Sequence, residues 1–199
     1  MLPRLHLIRH GETEWSLSGQ HTGRTDIRLT PRGEEEARRL GQRLRRVHYV
    51  LALTSPRHRA LRTCALAELT TAAETEPDLA EWDYGDYEGR TPADILASRP
   101  GWNVFADGAP NGETPEHVGR RVDRVVARVR GTDGDVAVFT HGHLGRALAV
   151  RWIGLPIAAA RHFQLGTASL SILATDPRHA DAPIIELWND RCAHCLSDS

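Results

Sequence analysis

The most constraining feature of this chain is a repeated order: a short apolar run, a polar loop, then a hydroxyl residue followed by proline. Apolar runs at 5–8, 49–53 and 136–139 have the length and near-continuous hydrophobicity of strands buried on both faces of a parallel sheet. Thr30-Pro31, Ser55-Pro56, Thr91-Pro92 and Thr114-Pro115 each place a capping hydroxyl before a proline whose fixed φ suits the first helical position. The clearest helix carries Val118, Val122, Val125, Val126 and Val129 on one stripe, with Arg120, Arg121, Arg124 and Arg128 expected on its other faces. Strand, loop and helix in alternation predict an α/β fold: a three-layer α/β/α sandwich with a mostly parallel central sheet and right-handed crossovers. With 199 residues, no internal repeat and no low-complexity linker, one domain spanning 1–199 is expected.

Charge excludes some functions. The chain has 25 basic and 26 acidic residues, a net charge of -1, so there is no chain-wide basic field for binding nucleic acid. No apolar run approaches the length of a membrane span, and the first residues lack a signal-peptide pattern. Three cysteines, an odd number, argue against a disulfide framework and for a reducing cytoplasm. Cys192 and Cys195 form a C-x-x-C that lacks a second ligand pair for zinc and the strand–helix setting of a redox motif, so a polar tail is expected there. No heptad seam marks an oligomer interface, which leaves the oligomeric state open.

In such sheets ligands sit beyond the carboxyl ends of the strands, so residues just after each apolar run are the candidates. The first run is followed by Arg9-His10-Gly11-Glu12-Thr13 and the last by Thr140-His141-Gly142-His143. The middle run leads to Ser55-Pro56-Arg57-His58-Arg59. A single histidine near a strand end is more often a hydrogen-bonded structural residue than a catalyst. Two histidines and several arginines converging from three strand exits are different, because a phosphoryl group needs an in-line nucleophile and donors around its equatorial oxygens.

Leu7-Ile8-Arg9-His10-Gly11-Glu12-Thr13 resembles the opening motif of the histidine phosphatase superfamily, which includes cofactor-dependent phosphoglycerate mutase. Thr22-Gly23, Leu29-Thr30 with Gly33, Ser55-Pro56 with Arg59-Ala60 and Thr63, and Leu79 with Glu81, Gly85 and Glu88-Gly89 follow in family order. Gly112-Glu113-Thr114 and His141-Gly142 complete the match over about residues 5–155. The resemblance implies a phosphoglycerate mutase-like fold, with His10 the nucleophile and Arg9, Arg59 and His141 a clamp on the transferring group. Glu81 would protonate the leaving oxygen and later activate water, with Trp82 and Tyr84 shielding it. Ser16, Thr22, Gly23, Tyr84, Gly142 and Arg146 are the expected substrate-binding residues. Neither metal nor other cofactor is expected, because arginines and histidines supply the positive charge.

The stretches 10–16, 18–20, 22–23, 81–89 and 111–114, Trp102-Asn103 with Asp107-Gly108, and His141-Gly142-His143 with Arg146, are similar to a sedoheptulose-1,7-bisphosphatase branch. The substrate it implies is a small phosphate ester, a sugar bisphosphate; broad-specificity acid phosphatases share several of these features and are the alternative. Family members often carry a further arginine two positions after Arg59, where this chain has Leu61 and then Arg62. Mutases carry an inserted segment with an arginine pair, for which residues 90–113 are too short, so hydrolysis is expected to outrun transfer. A non-catalytic relative would be expected to have lost His10, Arg59 or His141, and all three are present.

Overall fold

The computed structural model describes residues 3–70 and 73–191. The C-x-x-C cysteines, Cys192 and Cys195, lie outside the described residues.

The three apolar runs are strands β1 (Leu5–Arg9), β2 (Tyr49–Thr54) and β4 (Asp135–Thr140), with a short β3 (Ala73–Thr75) between the latter two in sequence. Two strands not singled out in the sequence, β5 (Leu170–Asp176) and β6 (Ala182–Asp190), complete one six-stranded sheet in the order β3-β2-β4-β1-β5-β6. The pairs β3–β2, β2–β4 and β4–β1 are parallel; β1–β5 and β5–β6 are antiparallel. The sheet is therefore mixed and mostly parallel, with an antiparallel edge. β5 and β6 escape sequence reading because they form a meander with two register shifts and a half-buried outer strand, which blurs both alternation and continuous hydrophobicity.

Alternating residues feed two cores, as the two-residue period of a strand requires. Leu5, Leu7, Leu53, Val136 and Val138 pack with the valine stripe of α6 (Pro115–Arg130) and with Leu144, Leu148 and Trp152 of α7 (Gly142–Trp152). Ile8, Ala52, Ala137 and Phe139 face the other way, against Leu40 and Leu44 of α2 (Pro31–Leu44) and Cys64 of α3 (His58–Leu66). Helices thus cover both faces of the sheet.

Three of the four expected helix starts are capped as predicted. Thr30 accepts from the Gly33 N–H, Thr91 forms a capping box with Asp94 at the start of α4 (Pro92–Ser98), and Thr114 accepts from the His117 N–H. Ser55-Pro56 is the exception. Helix α3 begins at His58 without a side-chain cap, because the Ser55 hydroxyl is engaged by His141 and by the Arg57 N–H. Arg121, one of the arginines read as lying off the valine stripe, is buried. Its guanidinium grips both carboxylate oxygens of Glu113 at 2.8 Å and donates to the carbonyls of Asp78, Ala80 and Glu81.

No helix among the described residues is long and apolar enough to cross a membrane.

Candidate active site

Three parallel strands deliver the cluster. His10 follows β1, Ser55 follows β2 with Arg59 one step into α3, and His141 follows β4 as the residue before α7. The backbone around His10 is locked by glycine packing. A Cβ on Gly11 would lie 2.4 Å from the Gly33 carbonyl oxygen, and one on Gly33 would lie 2.2 Å from that of Glu12, so the His10 loop and the start of α2 touch main chain to main chain. Gly11→Ala should therefore cost about 2 kcal/mol or more by overpacking and displace His10; a lowered urea midpoint together with a lower kcat is the expected result.

His10 is 5% exposed. Its Nδ1 lies 2.7 Å from the Gly11 carbonyl oxygen, which can only accept, so Nδ1 carries the hydrogen and Nε2 keeps its lone pair. Burial, then the Arg59 and Arg9 charges, hold the imidazole well below the usual range, so it is neutral. His141 lies beside it, with ring centroids 5.2 Å apart. Arg59, fully buried, donates from Nε to His141 Nδ1 at 3.1 Å and from its terminal nitrogens to the carbonyls of Thr22 (2.8 Å) and Thr25 (3.1 Å). Burial and the Arg59 charge also keep His141 neutral; its hydrogen sits on Nε2, which donates to the Ser55 hydroxyl oxygen at 2.7 Å.

Glu81, 8% exposed, arrives on the loop that Arg121 grips from behind. Its Oε1 accepts from the backbone N–H groups of Trp82 and Leu144, both at 2.9 Å, and its Oε2 from His143 at 3.0 Å. The carboxylate thereby caps the first turn of α7, where a negative charge is favoured. The sequence gives no direct sign of this cap, because the two ends lie some sixty residues apart in the chain.

His10 and Glu81 border a cavity of about 190 Å³. Arg9, His10, Glu81, Tyr84, Gly142 and Arg146 line it, as do Ser16 and Thr22. Arg59 and His141 stand behind His10, shut off from solvent. Gly23 lies outside the lining, packed so tightly that a Cβ would come within 2.4 Å of the Trp82 carbonyl oxygen; its N–H donates to Glu88. The Ser16 hydroxyl donates to the Thr13 carbonyl and that of Thr22 to the Gln20 carbonyl. Glu88 binds backbone, as an acidic residue near a glycine turn is expected to do: its Oε1 accepts from Gly23 and Thr25.

Two guanidiniums reach the cavity with donors to spare. Arg9 spends one terminal nitrogen on the Leu165 carbonyl and leaves its buried Nε without a partner among the described residues. Arg146 gives Nε to the Ala160 carbonyl and lies over the Phe105 ring at 4.6 Å. Leu61 and Arg62 do not line the cavity; Arg62 pairs with Glu34 at 2.8 Å on the outer side of α3. Among the described residues no group of three or more His, Cys, Asp or Glu is placed to hold a metal ion.

His21 and His143 also line the cavity, and His21 is absent from the residues expected there from sequence. His21 has its pKa brought down to about 4 by burial. A buried histidine that stays neutral in the folded state while the unfolded chain protonates near 6.5 stabilises fully above that pH. The contribution is lost as pH falls toward 4 and amounts to about 3 kcal/mol for His21. Burial lowers His10, His141 and His143 in the same direction. Chemical denaturation at pH 7 and pH 4.5 should therefore show a markedly lower midpoint in acid.

The chain matches the model of the histidine phosphatase superfamily (branch 1) over residues 5–191. It is 43% identical over 173 residues to an acid phosphatase of Mycobacterium tuberculosis, covering 85% of each chain. It is 38% identical over 189 residues to the sedoheptulose 1,7-bisphosphatase of Saccharomyces cerevisiae, covering 79% of this chain and 70% of that protein. The solved structure of the open reading frame Rv3214 from Mycobacterium tuberculosis superposes with a TM-score of 0.86 at 38% identity, over 94% of this chain and 97% of that one. A neutral imidazole among arginines at the head of a parallel sheet, and relatives matched along most of the chain, lead to one assignment: the protein belongs to branch 1 of the histidine phosphatase superfamily and is a phosphoric monoester hydrolase.

Proposed function

We propose that the protein hydrolyses a small phosphorylated metabolite, a sugar bisphosphate such as sedoheptulose 1,7-bisphosphate, through a phosphohistidine on His10. The observation that carries this reading is the His10 tautomer: with Nδ1–H bound to the Gly11 carbonyl, Nε2 offers its lone pair to phosphorus. Attack forms the Nε2–P bond and breaks the bond from phosphorus to the ester oxygen. That oxygen takes a proton from Glu81. Oε1 already accepts two hydrogen bonds and Oε2 one, so Oε2 has the lone pair on which that proton rides. In the second step Oε2 recovers a proton from the attacking water, the N–P bond breaks and inorganic phosphate leaves. Arg9 donates to the equatorial oxygens, Arg59 adds its charge from behind His10, and His141 holds the Arg59 Nε in that place. Arg146 grips the second phosphate, Ser16, Thr22, Tyr84 and Gly142 shape the anion pocket, and Gly23 acts from outside the lining by fixing the loop that carries Thr22.

The test is rapid quenching with a ³²P-labelled substrate, which should yield an acid-labile, base-stable phosphoenzyme. A kcat/KM panel across sedoheptulose and fructose bisphosphates, sugar monophosphates and phosphoglycerates then fixes the substrate. Preference for the seven-carbon bisphosphate supports the reading. Flat rates favour the alternative, a broad-specificity acid phosphatase, for which Leu61 supplies the specific observation: no arginine from that turn of α3 lines the cavity. Isomerisation of phosphoglycerates should be negligible in the same panel, and turnover should be unchanged by excess EDTA.

A further inference from the structure

Two imidazoles on the cavity wall have no part in the mechanism above. His21 is 6% exposed and lies flat on Tyr84, with ring centroids 4.5 Å apart and planes 14° apart, while Trp102 meets it edge-on at 5.5 Å. Its main chain is pinned on both sides, the N–H to the Arg90 carbonyl and the carbonyl to the Gly89 N–H, each at 2.9 Å. Yet neither ring nitrogen bonds to a described residue, and Nε2 is enclosed, so Nδ1 is the nitrogen left to a ligand. His143 stands 5.6 Å from His21, centroid to centroid. Its Nδ1 is 2.5 Å from the Tyr84 hydroxyl. Burial raises the phenol well above its ordinary value and lowers the imidazole well below its own. The phenol therefore keeps its proton and donates, and the His143 hydrogen sits on Nε2, which has no acceptor among the described residues.

Of these nitrogens His21 Nε2 is buried and idle, which costs free energy, while His21 Nδ1 and His143 Nε2 have no partner among the described residues and belong to rings that line the cavity. A rigidly held pair of rings with idle nitrogens, on the wall of a cavity that Arg9, Glu81 and Arg146 also line, is organised for a ligand more than for the fold. Hydroxyl groups fit both rings, since each can accept from an imidazole N–H or donate to an imidazole lone pair. We propose that His21 and His143 read hydroxyl groups on the substrate's carbon chain, between the transferring phosphoryl and Arg146, so that the site selects polyol phosphates over esters with unhydroxylated leaving groups. This rests on the phosphomonoesterase reading of the cavity and adds the chemistry of the preferred leaving group.

The test compares kcat/KM on fructose 1,6-bisphosphate and on p-nitrophenyl phosphate for the native protein, His21→Phe and His21→Gln. Phenylalanine keeps the stack on Tyr84 and removes both nitrogens; glutamine keeps a donor and an acceptor. His21→Phe should lose about fivefold to tenfold on the sugar ester, the worth of one hydrogen bond, and less than about twofold on the aryl ester. His21→Gln should recover about half of the lost sugar rate, and the urea midpoint of His21→Phe should hold or rise. Equal losses on both esters, no loss on the sugar, or no recovery with glutamine would overturn the proposal. A native protein that turns over neither ester fails at the earlier step, the phosphatase reading itself.

Discussion

His10→Ala is expected to lower kcat by about 10⁴ or more and to eliminate the labelled phosphoenzyme. The variant loses His10 Nε2, the lone pair held beside the Arg59 and Arg9 charges. Folding should be little affected. The ring's own hydrogen bond goes to the neighbouring Gly11 carbonyl, and its burial between two guanidiniums contributes nothing that a small apolar residue would lack. A circular dichroism melt close to that of the native protein, with turnover gone, is the result to look for. Residual labelling of the alanine variant at the native level would place the phosphoryl acceptor elsewhere.

Arg59→Leu should do damage of two kinds. The fully buried guanidinium is tied to His141 and to the carbonyls of Thr22 and Thr25. Leucine leaves those acceptors unsatisfied, and hydrogen bonds from a charged donor are worth about 2 kcal/mol each, so stability should fall by about 3 kcal/mol or more. The reaction suffers separately. Removing one fixed positive charge beside the proposed nucleophile, His10, should cost about 10²- to 10³-fold in kcat, and His141 would lose the contact that sets its tautomer. Arg59→Lys is the informative companion. It keeps the charge but loses the planar fork, so it should recover more stability than activity. Equal recovery of both would argue that Arg59 serves the fold alone.

The parts of this architecture that the sequence announces are those governed by local rules. The parallel strands at 5–9, 49–54 and 135–140 are continuous apolar runs, and the threonine–proline starts at 30, 91 and 114 obey capping chemistry that needs no knowledge of the fold. Ser55-Pro56 has the same local form, but a tertiary partner, His141, claims the hydroxyl and the helix starts later. Arg121 looks like one more surface arginine on a helix until Glu113 and three carbonyls meet it in space. The histidine and arginine cluster was readable because each member directly follows a strand or opens the next helix. His21 was not: it follows no strand, and its neighbours Tyr84, Trp102 and His143 come from distant stretches of chain.

Because Glu81 closes the first turn of α7 with its carboxylate, the proposed mechanism puts acid–base traffic and mechanical anchorage on one side chain. In that mechanism, each proton that arrives at or leaves the group would remove or restore a counter-charge at the leading end of the helix bearing His143 and Arg146. Mutants at this position will thus mix two signals, slower bond cleavage and a slackened grip on the far end of the ligand. The two separate only when rates are measured on esters that make no contact with the helix.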